Sequence, residues 1–300
     1  MVSEGSALRV AAPSTSARAG QTRRFIGSVF FAVVTIGLAA IFVFPFFWTV
    51  SSSLKTPVEI FSFPPTMLPA VPQWGNYLKV MTKVPYLTWV GNSLFVVIAS
   101  TLGVILTSSI VAYSFARFEY RGRDLIFVLT LGTMMLPAQV TLIPQFVLFN
   151  AIGWINTLNP LWVPHWFGGA AFYIFLLRQF IMSLPRELDE AATIDGASYF
   201  RVFWGVLMPL MKPALATVAI ISFIGGWNDF LTPLIYLSSE DKFTVAVGLD
   251  FFQNVPESAG EPTQHLLMAA SVIAILPCLV LFFSAQRYFI EGIVLSGIKG

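Results

Sequence analysis

Long runs of uncharged, apolar residues constrain this chain more than any other feature of its sequence. A helix crosses the roughly 30 Å hydrocarbon core of a bilayer with about 20 apolar residues, because each residue advances the helix by about 1.5 Å. Six segments meet that requirement, at residues 25–50, 89–116, 124–149, 161–182, 208–236 and 265–287. The chain is 56% hydrophobic and only 11% charged, more apolar than a soluble domain could bury. The sequence therefore predicts an all-α membrane protein with six transmembrane helices.

The positions of lysine and arginine predict which side of the membrane each loop faces, since cytoplasmic loops retain these residues. Thirteen of the seventeen fall at the termini or on the side of loops 117–124 and 183–207. The other four fall on the opposite side, in segments 51–88 and 237–264. Both termini are therefore predicted to be cytoplasmic. The net charge of +2 is too nearly balanced to indicate nucleic acid as a partner.

The amino end resembles a targeting signal only superficially. Arg23 and Arg24 precede an apolar run that is far longer than the apolar region of a signal peptide, which predicts an uncleaved first span. Residues 1–22, rich in Ser, Ala and Arg, are predicted to be a disordered cytoplasmic leader. The predicted transmembrane domain is 23–287, followed by a cytoplasmic tail at 288–300.

The predicted cytoplasmic loop between the fourth and fifth spans is the most informative stretch for function. Pro185 suits a first helical turn, and Glu187, Asp189 and Glu190 favour the positive end of a helix dipole. Gly196 offers a place to turn. Small residues flanked by acids are suited to docking in a groove of another protein, although an amphipathic helix resting at the lipid headgroups or a merely structural loop is the alternative. Headgroup helices usually carry lysine and arginine on their polar face, whereas acids predominate here.

The spacing of residues in this loop resembles a known motif. Glu190-Ala191-Ala192, then three residues, Gly196, nine residues and Val206-Leu207-Met208-Pro209 is similar to the EAA loop of binding-protein-dependent ABC importers. Val206 and Met208 are conservative departures from Ile and Leu of that pattern. Three further stretches resemble the small membrane subunit of the maltose-type, carbohydrate-importing branch: Asp195-Gly196-Ala197, residues 227–234, and the tail from Gln286 to Gly300.

This resemblance, which covers roughly residues 25–300, implies the type I ABC importer permease fold, with the coupling loop at 183–209. It implies a second, similar permease subunit, two ATP-binding subunits and an extracytoplasmic solute-binding protein as partners, in a bacterial cytoplasmic (inner) membrane. Glu190 would meet an arginine of the ATPase, and the coupling set would be Glu190, Ala191, Ala192, Asp195, Gly196 and Pro209. The tail, with Gly297 and Lys299, would reach between the ATPases. The chain has no Walker A pattern, so it is expected to bind no cofactor and not to be the enzyme, with ATP and Mg used by the partner ATPase.

Polar residues inside spans are functional candidates because they are costly to place in lipid. Trp227, Asn228 and Asp229 are predicted to line the solute path, with the amide binding carbohydrate hydroxyls and the indole stacking on the sugar. The alternative is a helix break or a polar tie between helices. Pro137 and Pro144 are predicted to kink the third span.

Other function classes find little support in the sequence. His165 and His265 have no neighbouring ligands at metal spacing, so no metal site is predicted, and the single Cys278 cannot form an intramolecular disulfide. An ion-coupled secondary transporter of a small polar solute would need carboxylates at the membrane midplane, and an intramembrane enzyme would need a catalytic constellation within the spans. The sequence therefore predicts ATP-driven import by alternating access, of a sugar or oligosaccharide on the resemblance. Outer segment 238–264, acidic and rich in turn residues, is predicted to contact the solute-binding protein.

Overall fold

The structure, a computed structural model, describes residues 15–168, 170–254 and 263–297. Within these ranges the chain is built from helices and their connections, with no strand. In chain order the α-helices are α1 (Thr15–Ser53), α2 (Pro57–Ile60), α3 (Gly75–Lys83), α4 (Tyr86–Arg117), α5 (Arg123–Gly132), α6 (Ala138–Ala151), α7 (Asn159–Trp162), α8 (Ala171–Ser183), α9 (Glu187–Ile194), α10 (Tyr199–Val202), α11 (Met208–Leu210), α12 (Lys212–Trp227), α13 (Leu231–Tyr236), α14 (Val245–Asn254) and α15 (Gln264–Gly297). Short 3₁₀ segments occupy Thr133–Met135, Val163–Trp166 and Glu240–Lys242, and a π-helix occupies Phe203–Leu207.

Four helical segments are long and apolar enough to cross a membrane, and two bent pairs of helices raise that number to six if each pair is one span. The four are Gly27–Ser53, Tyr86–Arg117, Asn159–Ser183 and Gln264–Ala285. All of them lie where the sequence predicts spans. The two bent pairs overlap the third and fifth predicted spans, whose apolar length did not reveal the bends.

The third predicted span bends by 98° between its two helices, Arg123–Met135 and Gln139–Ala151. Pro137 lies at this break, with backbone angles (φ −59°, ψ 131°) outside the helical region. Pro144 lies inside α6, which continues through it. The predicted kink is therefore found at Pro137, where the chain leaves helical geometry before α6 begins.

The fifth predicted span is interrupted twice. Tyr199–Leu210 and Lys212–Trp227 meet at 76°, and the break lies between Pro209 and Pro213, neither of which can donate a backbone hydrogen bond. The helix then ends at Trp227, and α13 begins separately at Leu231. Residues 208–236 therefore do not form the continuous helix that their composition predicts.

The first helix lies along α15 and exposes most of the described apolar side chains of its span, as expected of a helix whose solvent is lipid. It begins at Thr15, so the prediction of a disordered leader is wrong for residues 15–22, which continue the helix. Residues 1–14 lie outside the described part. At the other end, α15 continues to Gly297, so residues 288–297 belong to that helix and the predicted boundary at 287 is not a helix end.

Three hydrophobic clusters form the interior of the described part, and α4 contributes to each of them. The first surrounds the beginning of α4 and includes the buried rings of Trp89, Trp227 and Tyr236. The second surrounds its end and includes Leu177 of α8 and Leu207. Because α4 packs against both α8 and α12, it holds the broken helices in place.

A close approach lets the chain cross α4 near its middle. The Trp166 ring lies over Gly103, where a Cβ atom would be only 2.6 Å from the indole. The Trp166 Nε1 group also donates a hydrogen bond to the Ala99 carbonyl at 3.0 Å. A side chain larger than hydrogen at position 103 would therefore displace the segment that leads into α8.

Candidate functional site

The segment that carries the EAA-like motif forms a short helix, α9, set across the ends of α4 and α8. Leu184 is extended and Pro185 precedes the helix, which begins at Glu187, so this proline lies outside the first turn in which it was predicted. Glu187, Asp189 and Glu190 occupy the first turn of α9, where negative charge complements the free backbone N–H groups. The local sequence thus explains why a helix forms here.

An ion pair attaches α9 to the end of α4. Arg117 Nε lies 2.6 Å from Asp189 Oδ2, and these side chains expose only 6% and 20% of their surfaces. Arg117 Nη2 also donates a hydrogen bond to the Leu184 carbonyl at 3.1 Å. One arginine therefore holds both the start of the loop and the inward face of α9.

The surroundings of Asp189 show what this contact contributes. Burial raises the pKa of the Asp189 carboxyl above its ordinary value, although the positive charges of Arg117 and Arg186 lower it. The loss of water around the carboxylate thus outweighs the attraction of the cations. The pair consequently serves to fix the position of α9 more than to stabilise the fold.

An aromatic cluster supports the loop from the membrane side. The Tyr113 hydroxyl donates to the Tyr199 carbonyl at 3.3 Å, and the Tyr113 ring lies 5.1 Å from that of Phe118 and 5.2 Å from that of Phe203. Phe118 in turn makes an edge-to-face contact with Tyr199 at 5.1 Å. A shift of the loop would therefore be transmitted to α4 through packed rings.

Gly196 ends α9 in the left-handed conformation, with φ of +81°. The Ala197 N–H donates to the Ala192 carbonyl at 2.9 Å, and the Gly196 N–H to the Thr193 carbonyl at 3.0 Å, which satisfies the last carbonyls of the helix. Ala192 and Ala197 then pack against the second hydrophobic cluster. This glycine thus has the turning role that the sequence predicts.

The two faces of α9 differ. Asp189 and Ala192 are half-buried against the membrane domain, whereas Glu190 and Ala191 are exposed. Ile194 adds an apolar side chain that is 86% exposed. The helix thus presents a mixed acidic and apolar surface away from the domain. Beside it lies a cleft of about 520 Å³ whose lining includes Arg117, Asp189, Glu190 and Tyr199.

The remaining predicted coupling and tail residues lie at different places. Asp195 is exposed at the carboxyl end of α9, next to Gly196. Pro209 lies in α11, at the 76° bend that leads into α12. Gly297 is the last residue of α15, and Lys299 lies outside the described residues.

The structure separates the three residues predicted to line the solute path. Trp227 is 5% exposed, donates from Nε1 to the Ala274 carbonyl at 3.0 Å and stacks on Phe223. Its ring joins α12 to α15, which favours the alternative of a tie between helices, and its stacking on a sugar stays a prediction. Asn228 is exposed and donates to the Ile224 carbonyl at 2.8 Å. Asp229 accepts from the Thr232 N–H at 3.2 Å and lines a cavity between helices.

Sequence reasoning did not find Tyr113 and Arg117, because they lie far earlier in the chain than the loop that they hold. In the sequence, Arg117 is only one of the basic residues that predict the orientation of the membrane domain. The adjacent charged stretch 117–124 was the one available signal that this end of α4 is not lipid-facing. Among the described residues, no group of three or more His, Cys, Asp or Glu side chains is placed to hold a metal ion.

These features define an integral membrane protein of helices that are broken within their spans, as occurs where a transport path crosses a bilayer. The chain belongs to the family of binding-protein-dependent transport system inner membrane components, whose model matches residues 100–294. It is thus the permease subunit of an ABC importer in the inner membrane, and ATPase activity lies in separate subunits.

Similar proteins cover nearly the whole chain. The arabinooligosaccharides transport system permease protein AraQ of Bacillus subtilis (strain 168) is 33% identical over 88% of this chain and 92% of its own length. The trehalose/maltose transport system permease protein MalG of Thermococcus litoralis is 31% identical over 92% and 95%. The sn-glycerol-3-phosphate transport system permease protein UgpE of Yersinia enterocolitica is 31% identical over 91% and 98%.

A solved structure shares the fold. The structure is that of a bacterial ABC transporter involved in the import of the acidic polysaccharide alginate. It matches 93% of this chain and 100% of its own with a TM-score of 0.78, at 24% identity. The predicted family is confirmed, and the fold is confirmed as that of an ABC permease. The alternative of an ion-coupled secondary transporter is not supported, because the chain is a permease subunit of an ABC importer.

Proposed function

We propose that this subunit moves a sugar or oligosaccharide into the cytoplasm by alternating access, and that α9 transmits the movement of the ATPase to the membrane domain. The observation that carries the proposal is the two-sided character of α9. Its inner face is fixed to α4 through Arg117 and Asp189, while Glu190 and Ala191 face outward. A push on the exposed face would therefore act on the broken helices behind it.

The exposed face of α9 fits a protein groove. Glu190 offers a carboxylate for an arginine of the ATP-binding subunit, and Ala191 allows close approach. Ile194 supplies apolar area at the same end. Ala192 and Gly196 would contribute by packing α9 against the domain and by turning the chain after it. Asp195 lies beside that turn, and Pro209 lies at the bend that leads into α12. The tail residues Gly297 and Lys299 are proposed as a second contact with the ATPases.

The proposed complex contains a second homologous permease subunit, two ATP-binding subunits that use ATP and Mg, and an extracytoplasmic solute-binding protein. Segment 238–264 is proposed to meet the binding protein; residues 255–262 of it lie outside the described part. We further propose six spans with both termini cytoplasmic, each bent pair counting as one span. The distribution of basic residues supports this orientation.

The solute class rests on the relatives. Their names include arabinooligosaccharide and trehalose/maltose transport, which supports a carbohydrate, while one relative is named for sn-glycerol-3-phosphate. Asn228 and Asp229 remain the candidates for the solute path, because both lie at the break between α12 and α13.

The test is ATP-dependent uptake by the reconstituted transporter, with a pull-down of the ATPase. Glu190→Ala and Gly196→Asp should both lower uptake and weaken ATPase attachment or coupling. Glu119→Ala is the matched control, since it removes an exposed glutamate that lies outside α9 and outside the segment proposed to meet the binding protein. Unchanged ATP-driven uptake in both loop variants would refute the proposed coupling role and return α9 to a structural one.

A further inference from the structure

Two breaks in the spans meet at one polar cavity. The cavity has a volume of about 380 Å³, within the range of small-molecule sites. The polar side chains at its wall are those of Ser93, Ser100, His165, Tyr173, Ser222 of α12, Asp229 and Thr244. They come from α4, the segment before α8, α8 itself, α12 and the break after it, and the connection before α14. A cavity that gathers so many polar groups inside a membrane domain requires an explanation.

Two stretches of backbone around the cavity are not helical, whereas backbone that faces lipid has to be helical. The chain leaves helical geometry between Trp166 and Ala171 and again between Trp227 and Leu231, and both Ala170 and Asp229 line the cavity. Free backbone groups at membrane depth occur where they are buried in protein or line an aqueous space. In transporters, such paired interruptions surround the binding site.

One buried hydroxyl at the cavity has no partner within the described residues. Thr244 is 6% exposed, and its Oγ1 atom makes no hydrogen bond there. Nearby, the Ser93 hydroxyl accepts from the Val245 N–H at 2.8 Å, so its own proton stays available. The amino end of α8, at Ala170, also lacks a side-chain cap. An orphaned buried hydroxyl is costly, and a ligand that both donates and accepts hydrogen bonds would satisfy it.

The charge of the wall selects the type of ligand. The described residues that line the cavity include one carboxylate, Asp229, and one imidazole, His165, but no lysine or arginine. A phosphate ester or a uronate would thus meet a negative charge without a guanidinium or ammonium to balance it. Hydroxyl groups, in contrast, can donate to the carboxylate and exchange hydrogen bonds with the serine, threonine and tyrosine side chains.

We infer that this cavity is a solute subsite within the subunit itself, and that it binds part of an uncharged, polyhydroxylated solute during translocation. The inference rests on the proposed transport function and adds which residues hold the solute and which solutes they exclude. Thr244 and Asp229 are the principal binding groups, and Tyr173 and Ser93 complete the wall. Ser222 of α12 lies in the same wall and accepts a hydrogen bond from Thr101 at 3.3 Å.

The test uses the complete transporter in proteoliposomes with its binding protein and ATP. Uptake of three radiolabelled probes is measured in parallel with ATP hydrolysis: trehalose, arabinotriose and sn-glycerol 3-phosphate. We expect the wild type to import a neutral probe and not the phosphate ester. Thr244→Val and Asp229→Asn should each lower the amount of solute imported per ATP hydrolysed by about fivefold, the effect of losing one hydrogen bond.

Matched controls keep the result specific to the cavity. Thr217→Val makes the same change on α12, where the hydroxyl donates to the Pro213 carbonyl of its own helix. Asp124→Asn makes the same change at a carboxylate whose side chain is 76% exposed and lies outside the cavity. Both should keep the wild-type ratio. A variant that merely misfolds would lower uptake and ATP hydrolysis together, leaving the ratio unchanged.

The remaining outcomes distinguish the two proposals. If the wild type imports a neutral probe, and Thr244→Val and Asp229→Asn keep both the wild-type rate of ATP hydrolysis and the wild-type ratio, the subsite is overturned and the transport function stands. Preference of the wild type for sn-glycerol 3-phosphate would overturn the inferred charge selectivity. ATP-dependent uptake of sn-glycerol 3-phosphate with no uptake of either neutral probe would count against the proposed carbohydrate function itself.

Discussion

Arg117 joins the membrane domain to the loop helix by a contact that can be tested residue by residue. Its guanidinium is almost completely buried beside Asp189. We expect Arg117→Met to loosen α9 by about 2 kcal/mol, less than for a fully buried pair, because Asp189 keeps 20% of its side-chain surface exposed. Hydrogen exchange of the α9 amides measures this change directly. The double variant Arg117→Met, Asp189→Leu should recover part of the protection, because it leaves no unpaired charge.

A second arginine provides the comparison. Arg123 pairs with Asp124 at 2.9 Å, but the Asp124 side chain is 76% exposed. Arg123→Met should therefore leave the hydrogen exchange of the α9 amides near its wild-type rate. Equal hydrogen exchange of the α9 amides in Arg117→Met and Arg123→Met would show that the Arg117 contact does not hold the loop. Further loss of protection in the double variant at Arg117 and Asp189 would show the same.

The sequence predicts that the acidic residues of the loop suit the start of a helix, but it does not distinguish their roles. Asp189 and Glu190 are adjacent, and both suit the first turn of a helix. Successive helical residues point about 100° apart, so one faces the membrane domain and the other faces away. The acid that faces the membrane domain is the one beside Arg117. The position of Arg117 is set by the packing of α4 against α8, which no local sequence pattern encodes.

Among the elements, the tie between α12 and α15 depends on Trp227. Its indole is buried and donates to the Ala274 carbonyl. We expect Trp227→Phe to lower the free energy of unfolding by about 1 kcal/mol through the lost hydrogen bond. The solute concentration for half-maximal uptake should stay near the wild-type value, since the ring contacts protein. Thermal unfolding and uptake kinetics measured on the same preparation test both parts.

The exposed Trp74 offers a matched substitution. Its ring is 69% exposed and stacks on Tyr77, so Trp74→Phe should leave stability within about 0.5 kcal/mol. A Trp227→Phe variant with normal stability and a strongly raised half-saturation concentration would contradict the packing role and favour stacking on the solute.

The helices themselves could be predicted from sequence more fully than their interruptions. Apolar length located the four single helices that are long enough to span a membrane, because it depends on composition alone. The breaks depend on which residues cannot continue a helix in their context: Pro137 ends regular geometry, whereas Pro144 is accommodated within α6. The interruption at Asn228–Phe230 has no proline, and its residues are held by the Asp229 contact with Thr232. Such a break follows from tertiary packing, and it is these breaks that surround the polar cavity.

For the whole molecule, the decisive question is whether each bent pair crosses the membrane once or returns to the side where it began. The first pair separates exposed residues Glu119 and Ile152, and the second separates exposed Ile194 from Asp241. If each bent pair of helices is one span, Glu119 and Ile152 lie on opposite sides of the membrane, and so do Ile194 and Asp241. The distribution of lysine and arginine predicts that Glu119 and Ile194 are on the cytoplasmic side. Single cysteines at these four positions, in a Cys278→Ala background, report the side through labelling by a membrane-impermeant maleimide.

In sealed right-side-out vesicles we expect Ile152→Cys and Asp241→Cys to react, and Glu119→Cys and Ile194→Cys to react only after detergent is added. A protected Ile152→Cys would make the first pair re-entrant, and a protected Asp241→Cys would do the same for the second. The first result would place α9 on the side of the membrane opposite to the one that the coupling proposal assumes. The second would mean that the broken helix after α9 does not cross the membrane. The alternating-access mechanism requires both pairs to cross, because only then can a cytoplasmic movement of α9 reach the cavity between α8 and α12 along continuous packed structure.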